Sequence, residues 1–327
     1  MSEPHALSDV TGTVPLDDAA AVADAIDGIL SRSYGAGQFD RALLRACFAF
    51  VERLFAGGHP GYLACDMPYH DLRHSLDAAL AMARLVDGYR QHGGATAAAL
   101  TPDTGLVAVL LAVLHDTGFL RTTAEASLRG PELAAAHESR SAAFAADYLR
   151  STALAPYAQL ASLIMATRVA AAPGPLLDGR DDAAIAIGRM LGSADLLCQM
   201  ADRRYLERCY HHLYPELVIG GGDRCVAADG RQKILFRDAR DLVAHTPGFY
   251  ANVARPRLEK DFGNVARHLA AHFGGADPYA RSTRDNLERC ATIVGDNRWD
   301  LLDGPPMTTT RELDPRYRAE ATSSGHH

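Results

Sequence analysis

Four short stretches of this chain hold imidazoles and carboxylates in settings where they can do chemistry: Tyr69-His70-Asp71-Leu72-Arg73-His74, Leu114-His115-Asp116-Thr117-Gly118, His137-Glu138-Ser139-Arg140 and Gly192-Ser193-Ala194-Asp195. On a helix, residues four apart share a face, so His70 and His74 can address one site. With 14 histidines in the chain one such pair arises by chance, and the pair alone decides nothing. His115 and Asp116 end an apolar run, where an imidazole beside a carboxylate is costly unless something pairs with them, and a metal ion is such a partner. The alternative is that they merely end a helix, with His115 favourable at its C-terminus and Gly118 as the stop. Asp195 lies inside another apolar run and needs a cationic partner, either a metal or an arginine such as Arg189 or Arg203. Four such elements on apolar segments of one chain point jointly to metal chemistry.

The elements that position them are helices. Apolar residues recur at intervals of three and four through most of the chain, and strand alternation is scarce. The pattern predicts helices over 17–33, 40–56, 70–91, 104–115, 131–151, 156–170, 181–200, 201–213, 233–244, 246–254, 258–273 and 279–296. Gly57-Gly58-His59-Pro60-Gly61, Gly93-Gly94, Pro173-Gly174-Pro175 and Gly220-Gly221-Gly222-Asp223 punctuate them, each too short for an interdomain linker. The expected fold is all-α: an N-terminal segment over 1–40 with one helix, a single multi-helix domain over 41–296 with a site between core helices, and a polar tail over 297–327. His326 and His327 resemble an appended remnant and are set aside from the chemistry.

With 327 residues the chain can bury a substantial core. Hydrophobic residues make up 48 % and charged ones 22 %, an ordinary globular balance, and no window reaches the roughly 18 apolar residues that span a bilayer. The formal charge of −7 and the scattered Lys and Arg argue against a nucleic-acid polymer as partner. An anionic substrate therefore needs a local cation. Cys47, Cys65, Cys198, Cys209, Cys225 and Cys290 form no CxxC pair, and the opening MSEPHALSDVTG has no basic region followed by an apolar one. The expectation is a cytoplasmic protein with free thiols and no membrane partner; a homodimer is compatible with it.

The order His, His-Asp, Asp resembles the HD superfamily of metal-dependent phosphohydrolases, and Tyr69-His70-x-x-x-His74 is similar to the opening motif of the cyclic-nucleotide phosphodiesterases. The likeness runs through HDTGFLR, HESRSAAFAADYL and GSADLLCQMADRRYLE to HTPGFY, about residues 60–275, and is greatest to the bacterial phosphodiesterase-like branch. It implies His74, His115, Asp116 and Asp195 as metal ligands and His137 as a ligand of a second ion. It further implies His70 as the acid that protonates the leaving oxygen; Asp116 can either bridge to a second ion or help hold it together with His137 and waters. The chain departs from the animal enzymes in carrying Asp71 where they have asparagine and Phe119 where they have a second histidine. It also lacks a counterpart of their purine-binding glutamine, and non-ligand types stand at Ala166-Thr167-Arg168 where a further histidine is frequent.

Two imidazoles and two carboxylates suit zinc, manganese, iron or nickel, with magnesium also admissible, as one or two divalent ions. The expected activity is hydrolysis of a small anionic phosphoester, foremost a 3′,5′-cyclic nucleotide, by a metal-activated hydroxide. A di-iron oxygenase on the same scaffold and a non-catalytic nucleotide-binding domain are the rival readings. Asp71, Glu138 or another acid can orient His70 through its second ring nitrogen, and Arg73, Arg121, Arg140 and Arg168 are the arginines near the motifs. Gly220-Gly221-Gly222 lacks the lysine and the preceding strand of a phosphate loop and reads as a turn. His211 and His212 face different directions on a helix, and Phe249, Tyr250 and Phe262 read as packing.

Overall fold

A computed structural model describes residues 7–226 and 231–302. Its order is α1 (Ala19–Tyr34), α2 (Arg41–Phe55), α3 (Leu72–His92), α4 (Pro102–Leu114), α5 (His137–Arg150), a 3₁₀ helix (Ala155–Thr167), α6 (Gly174–Leu177) and α7 (Asp182–Ala201). Then follow α8 (Tyr205–Arg208), α9 (Tyr214–Gly220), the strands β1 (Arg224–Val226) and β2 (Gln232–Ile234), α10 (Ala239–Ala244), α11 (Thr246–Phe249), α12 (Leu269–His272) and α13 (Pro278–Gly295). The chain is all-α apart from that antiparallel hairpin, in which Cys225 pairs with Lys233.

Helix starts follow capping chemistry. Asp18, Asp40, Asp71, Asp181 and Asp277 each accept a hydrogen bond from a first-turn amide of α1, α2, α3, α7 and α13, satisfying a donor that has no partner within the helix. Thr101 does the same for α4, with Pro102 opening the helix. From Leu106 to Leu114 every residue of α4 is inaccessible to solvent, so this helix is the axis of the fold. α3 packs against α1, α4, α7 and α12, and α5 packs against the 3₁₀ helix.

Buried apolar residues form two clusters. The larger joins α1, α2, α3, α4, the 3₁₀ helix and α7; the smaller gathers Tyr205, Leu206, Cys209, Tyr214, Leu242, Val243, Cys290 and Ile293. Val22, Ile26 and Leu30 of α1 belong to the larger cluster, so the N-terminal helix shares the core with α3 and α4.

Several predicted boundaries are corrected. The helix expected from residue 70 begins at Leu72, because Asp71 caps it. The one expected over 131–151 begins as helix only at His137, after a 3₁₀ turn Gly130–Leu133. Within 233–244, residues Lys233 and Ile234 are strand, and helix starts at Ala239 behind the capping carboxylate of Asp238. The helix expected over 258–273 is broken at Gly263 and Asn264, both with positive φ. Residues 1–6 and the tail from 303 onward, including His326 and His327, lie outside the described residues.

Candidate metal centre

Three core helices carry the ligand-type side chains to one point. His74 lies in the first turn of α3, His115 and Asp116 follow the last residue of α4, and Asp195 stands in α7. His74 Nε2 is 3.1 Å from Asp195 Oδ1 and 3.5 Å from Asp116 Oδ2, and His115 Nε2 is 3.2 Å from Asp116 Oδ2 and 3.7 Å from Asp195 Oδ1. Nitrogen and oxygen ligands about 2.1 Å from one ion stand roughly 3–3.5 Å from each other, so these spacings fit a shared centre. Two overlapping groups, His70/His74/Asp116 and His74/His115/Asp195, offer ligand atoms all within 4.8 Å of one another. These buried His and Asp groups could hold a metal ion.

The orphaned atoms supply the test of that fit. His115 donates through Nδ1 to the Ala112 carbonyl at 2.8 Å, which leaves Nε2 bare, and neither His115 Nε2 nor Asp116 Oδ2 has a hydrogen-bond partner although both are inaccessible. Buried polar atoms without partners are costly, and here they converge. Burial works against charge on Asp116 and Asp195, yet the surrounding imidazoles, foremost His115, hold both carboxyls well below the usual range. Burial likewise opposes charge on His115, and Asp116 drives its imidazole upward.

His70 reaches the site by a different route from the one its spacing predicts. It precedes α3, and Glu216 of α9 holds it: Oε2 accepts from the Tyr69 and His70 amides at 2.9 and 3.2 Å, and Oε1 pairs with His70 Nδ1. Burial opposes charge on the ring, but Glu216 raises it to about 9. Asp71 is instead spent on capping α3 and on a 3.4 Å contact with Arg208, and Glu138 touches His137 and Arg168. Sequence reasoning missed Glu216, whose one signal was a lone carboxylate in the apolar run Leu213 to Ile219.

His137 stands at the edge of the centre. Its Nδ1 donates to the Ala134 carbonyl at 2.7 Å, and Nε2 lies 3.9 Å from Asp116 Oδ1. Gly118 lets α5 start this close: a Cβ there would come within 1.9 Å of the His137 carbonyl oxygen. The Phe119 ring stacks on His137 at 4.0 Å and on His70 at 5.1 Å, a phenyl plate between the two imidazoles.

A cleft of about 720 Å³ opens over the centre. One end carries His70, Asp116, His137, Glu138, Arg168 and Asp195; the other is an apolar wall including Leu213, Leu217, Phe236, Leu242 and Phe249. Three of the four arginines near the motifs are committed elsewhere: Arg73 is bidentate to buried Asp202, Arg121 binds Asp66 and the Leu128 carbonyl, and Arg140 binds Glu125. Gly221 has positive φ and ends α9 in a turn, and Phe262 is fully buried. No helix among the described residues is long and apolar enough to cross a membrane. In comparisons with known proteins, no family model and no curated protein matches the chain.

Proposed function

We propose that this protein is a metal-dependent phosphohydrolase whose foremost substrate is a 3′,5′-cyclic nucleotide. One observation carries the reading: ligand atoms of His74, His115, Asp116 and Asp195 converge at the floor of a cleft, His115 Nε2 and Asp116 Oδ2 among them without a hydrogen-bond partner, beside His70, an imidazole paired with Glu216. A divalent ion bound there supplies Lewis acidity toward a phosphoryl oxygen and a hydroxide at neutral pH, by lowering the pKa of its water to about 7.

The chain's own residues do the rest. His74, His115, Asp116 and Asp195 would hold the ion, with His137 beside Asp116 as a ligand of a second one. His70, with Nδ1 committed to Glu216, presents Nε2 to the leaving oxygen and donates its proton there, a contribution of roughly 10²–10⁴-fold. With a single ion, Asp116 and Asp195 balance the dication, Glu216 balances His70 and Glu138 balances Arg168, a neutral polar end that opposes a phosphodiester monoanion less than a dianionic monoester. The apolar wall suits a flat organic group attached to that phosphate. The test is a product screen of cyclic mononucleotides, other phosphodiesters and phosphomonoesters with zinc, manganese, magnesium, iron and nickel in turn. Turnover of a cyclic nucleotide that disappears with chelation supports the proposal, and absence of phosphoester hydrolysis with every metal refutes it.

A further inference from the structure

We infer that Arg168 is the substrate-binding residue that grips the phosphate's non-bridging oxygens, so that the substrate lies with its phosphate at the His137–Arg168 side of the cleft and its organic group along the wall of Leu213, Leu217, Phe236, Leu242 and Phe249. The inference rests on the phosphohydrolase reading for its reaction but not for its binding chemistry.

Among the described residues that line the cleft, Arg168 is the sole Lys or Arg. Its two protein hydrogen bonds both leave NH2, at 3.2 Å to the Ala135 carbonyl and 3.3 Å to Glu138 Oε2, so NH1 and Nε keep donors for a ligand. Its side chain is 34 % exposed, which sets it apart from the buried Arg73. A chain of contacts connects it to the centre: Asp116 Oδ1 faces His137 Nε2, His137 Nδ1 lies 3.4 Å from Glu138 Oε2, and Glu138 meets Arg168. A guanidinium fork matches two phosphate oxygens in a way a lysine cannot.

The backbone that carries Arg168 is unusually well held. Arg257, buried, fans its guanidinium over four carbonyls at the end of the 3₁₀ helix, those of Ala166 at 3.1 Å, Arg168 at 3.1 Å, Val169 at 3.3 Å and Ala171 at 2.9 Å. A helix C-terminus normally leaves such carbonyls unpaired. Here a buried cation takes them up and fixes the cleft wall from behind, and Phe262 backs the guanidinium at 5.0 Å. The wall is thus anchored at its base, and the Arg168 side chain lines the cleft from it.

The experiment titrates inorganic phosphate into the manganese-loaded full chain by calorimetry, for wild type, Arg168→Gln and Arg168→Lys, with metal content and melting temperature recorded for each. Loss of a charge-assisted pair predicts phosphate binding weakened roughly 10- to 100-fold in Arg168→Gln and recovered only in part in Arg168→Lys. Metal content should match wild type in both variants, since Arg168 touches no member of the two ligand groups. With a hydrolysed cyclic nucleotide, KM should rise by a similar factor while kcat changes less. Phosphate binding within twofold of wild type in Arg168→Gln overturns the inference, as does a wild type that binds no phosphate. If binding depends on Arg168 yet no phosphoester is hydrolysed with any metal, the phosphohydrolase reading falls and the assignment of Arg168 stands.

Discussion

Replacing Glu216 by glutamine separates the acid from the metal. The side chain is 6 % exposed and accepts from two backbone amides and from the ring of His70, so Glu216→Gln keeps the shape and one acceptor oxygen but removes the charge that raises the imidazole. A hydrogen bond to a charged group contributes about 1.5–3 kcal/mol, so if this one is fully expressed in proton donation, turnover falls roughly 10- to 100-fold. The fall must depend on the leaving group. An alkoxide, as in a cyclic nucleotide, needs the proton, whereas a nitrophenolate leaves without it. The assay is kcat for a cyclic nucleotide and for a nitrophenyl phosphodiester, with metal content measured on the same preparations. Equal losses on both substrates, or a loss of metal, would refute the assignment of Glu216 as the residue that positions His70 for proton donation.

Removing a ligand should act on metal and stability together. His115→Ala should lose its ion and its activity, and chelation of wild type should lower its melting temperature; at a metal concentration 100 times the dissociation constant the bound ion contributes about 2.7 kcal/mol. Metal analysis and thermal scans check this, and full activity in His115→Ala contradicts it. Acid should weaken the fold through Asp202: burial opposes its charge, but Arg73 lowers it from 3.8 to about 2. A depressed carboxyl stabilises above its unfolded pKa and loses that contribution as pH falls through its folded value, here about 2 kcal/mol lost between pH 3.8 and 2. Urea unfolding of wild type and Asp202→Asn across pH 5 to 2 should show the wild-type advantage shrinking by that amount, and a constant difference would count against it.

How much of this was legible in the sequence differs by residue. The 3.6-residue pattern exposed α1, α2, α4, α7 and α13 because each buries one face or all of itself, and the all-α class followed. It missed the hairpin at Arg224–Val226 and Gln232–Ile234 because those strands are largely exposed, and Val226 and Ile234 carry no core periodicity. Asp195 was visible as a carboxylate inside an apolar helix and His115-Asp116 as a polar pair closing another, whereas His74 was marked by its four-residue spacing from His70. Glu216 and Arg257 were not visible, since what marks them is a partner: His70 lies 146 residues from Glu216, and the carbonyls that Arg257 holds lie 86 to 91 residues away. His70 was selected for the wrong local reason. Its spacing suggested a helical face, and the structure instead ties it to α9 through a contact that no local pattern encodes.

That tie makes the acid depend on the smaller core. The four ligand candidates stand on α3, α4 and α7, whereas Glu216 rides on α9, beside Tyr214 and Leu217 of the second cluster. Val243 on α10, a helix that packs against α9, is fully buried in that cluster and does not line the cleft. Val243→Ala removes packing behind α9 at a cost of about 1.5–3 kcal/mol. At a temperature where the variant stays folded, metal content should equal that of wild type, because Val243 stands on none of the helices that carry the ligand candidates. Turnover of a cyclic nucleotide should fall while that of a nitrophenyl phosphodiester holds, since a slackened α9 relaxes the grip of Glu216 on His70 and leaves the ion untouched. Parallel losses on the two substrates, or loss of metal, would mean that the two cores move as one and that the acid has no separate mechanical support.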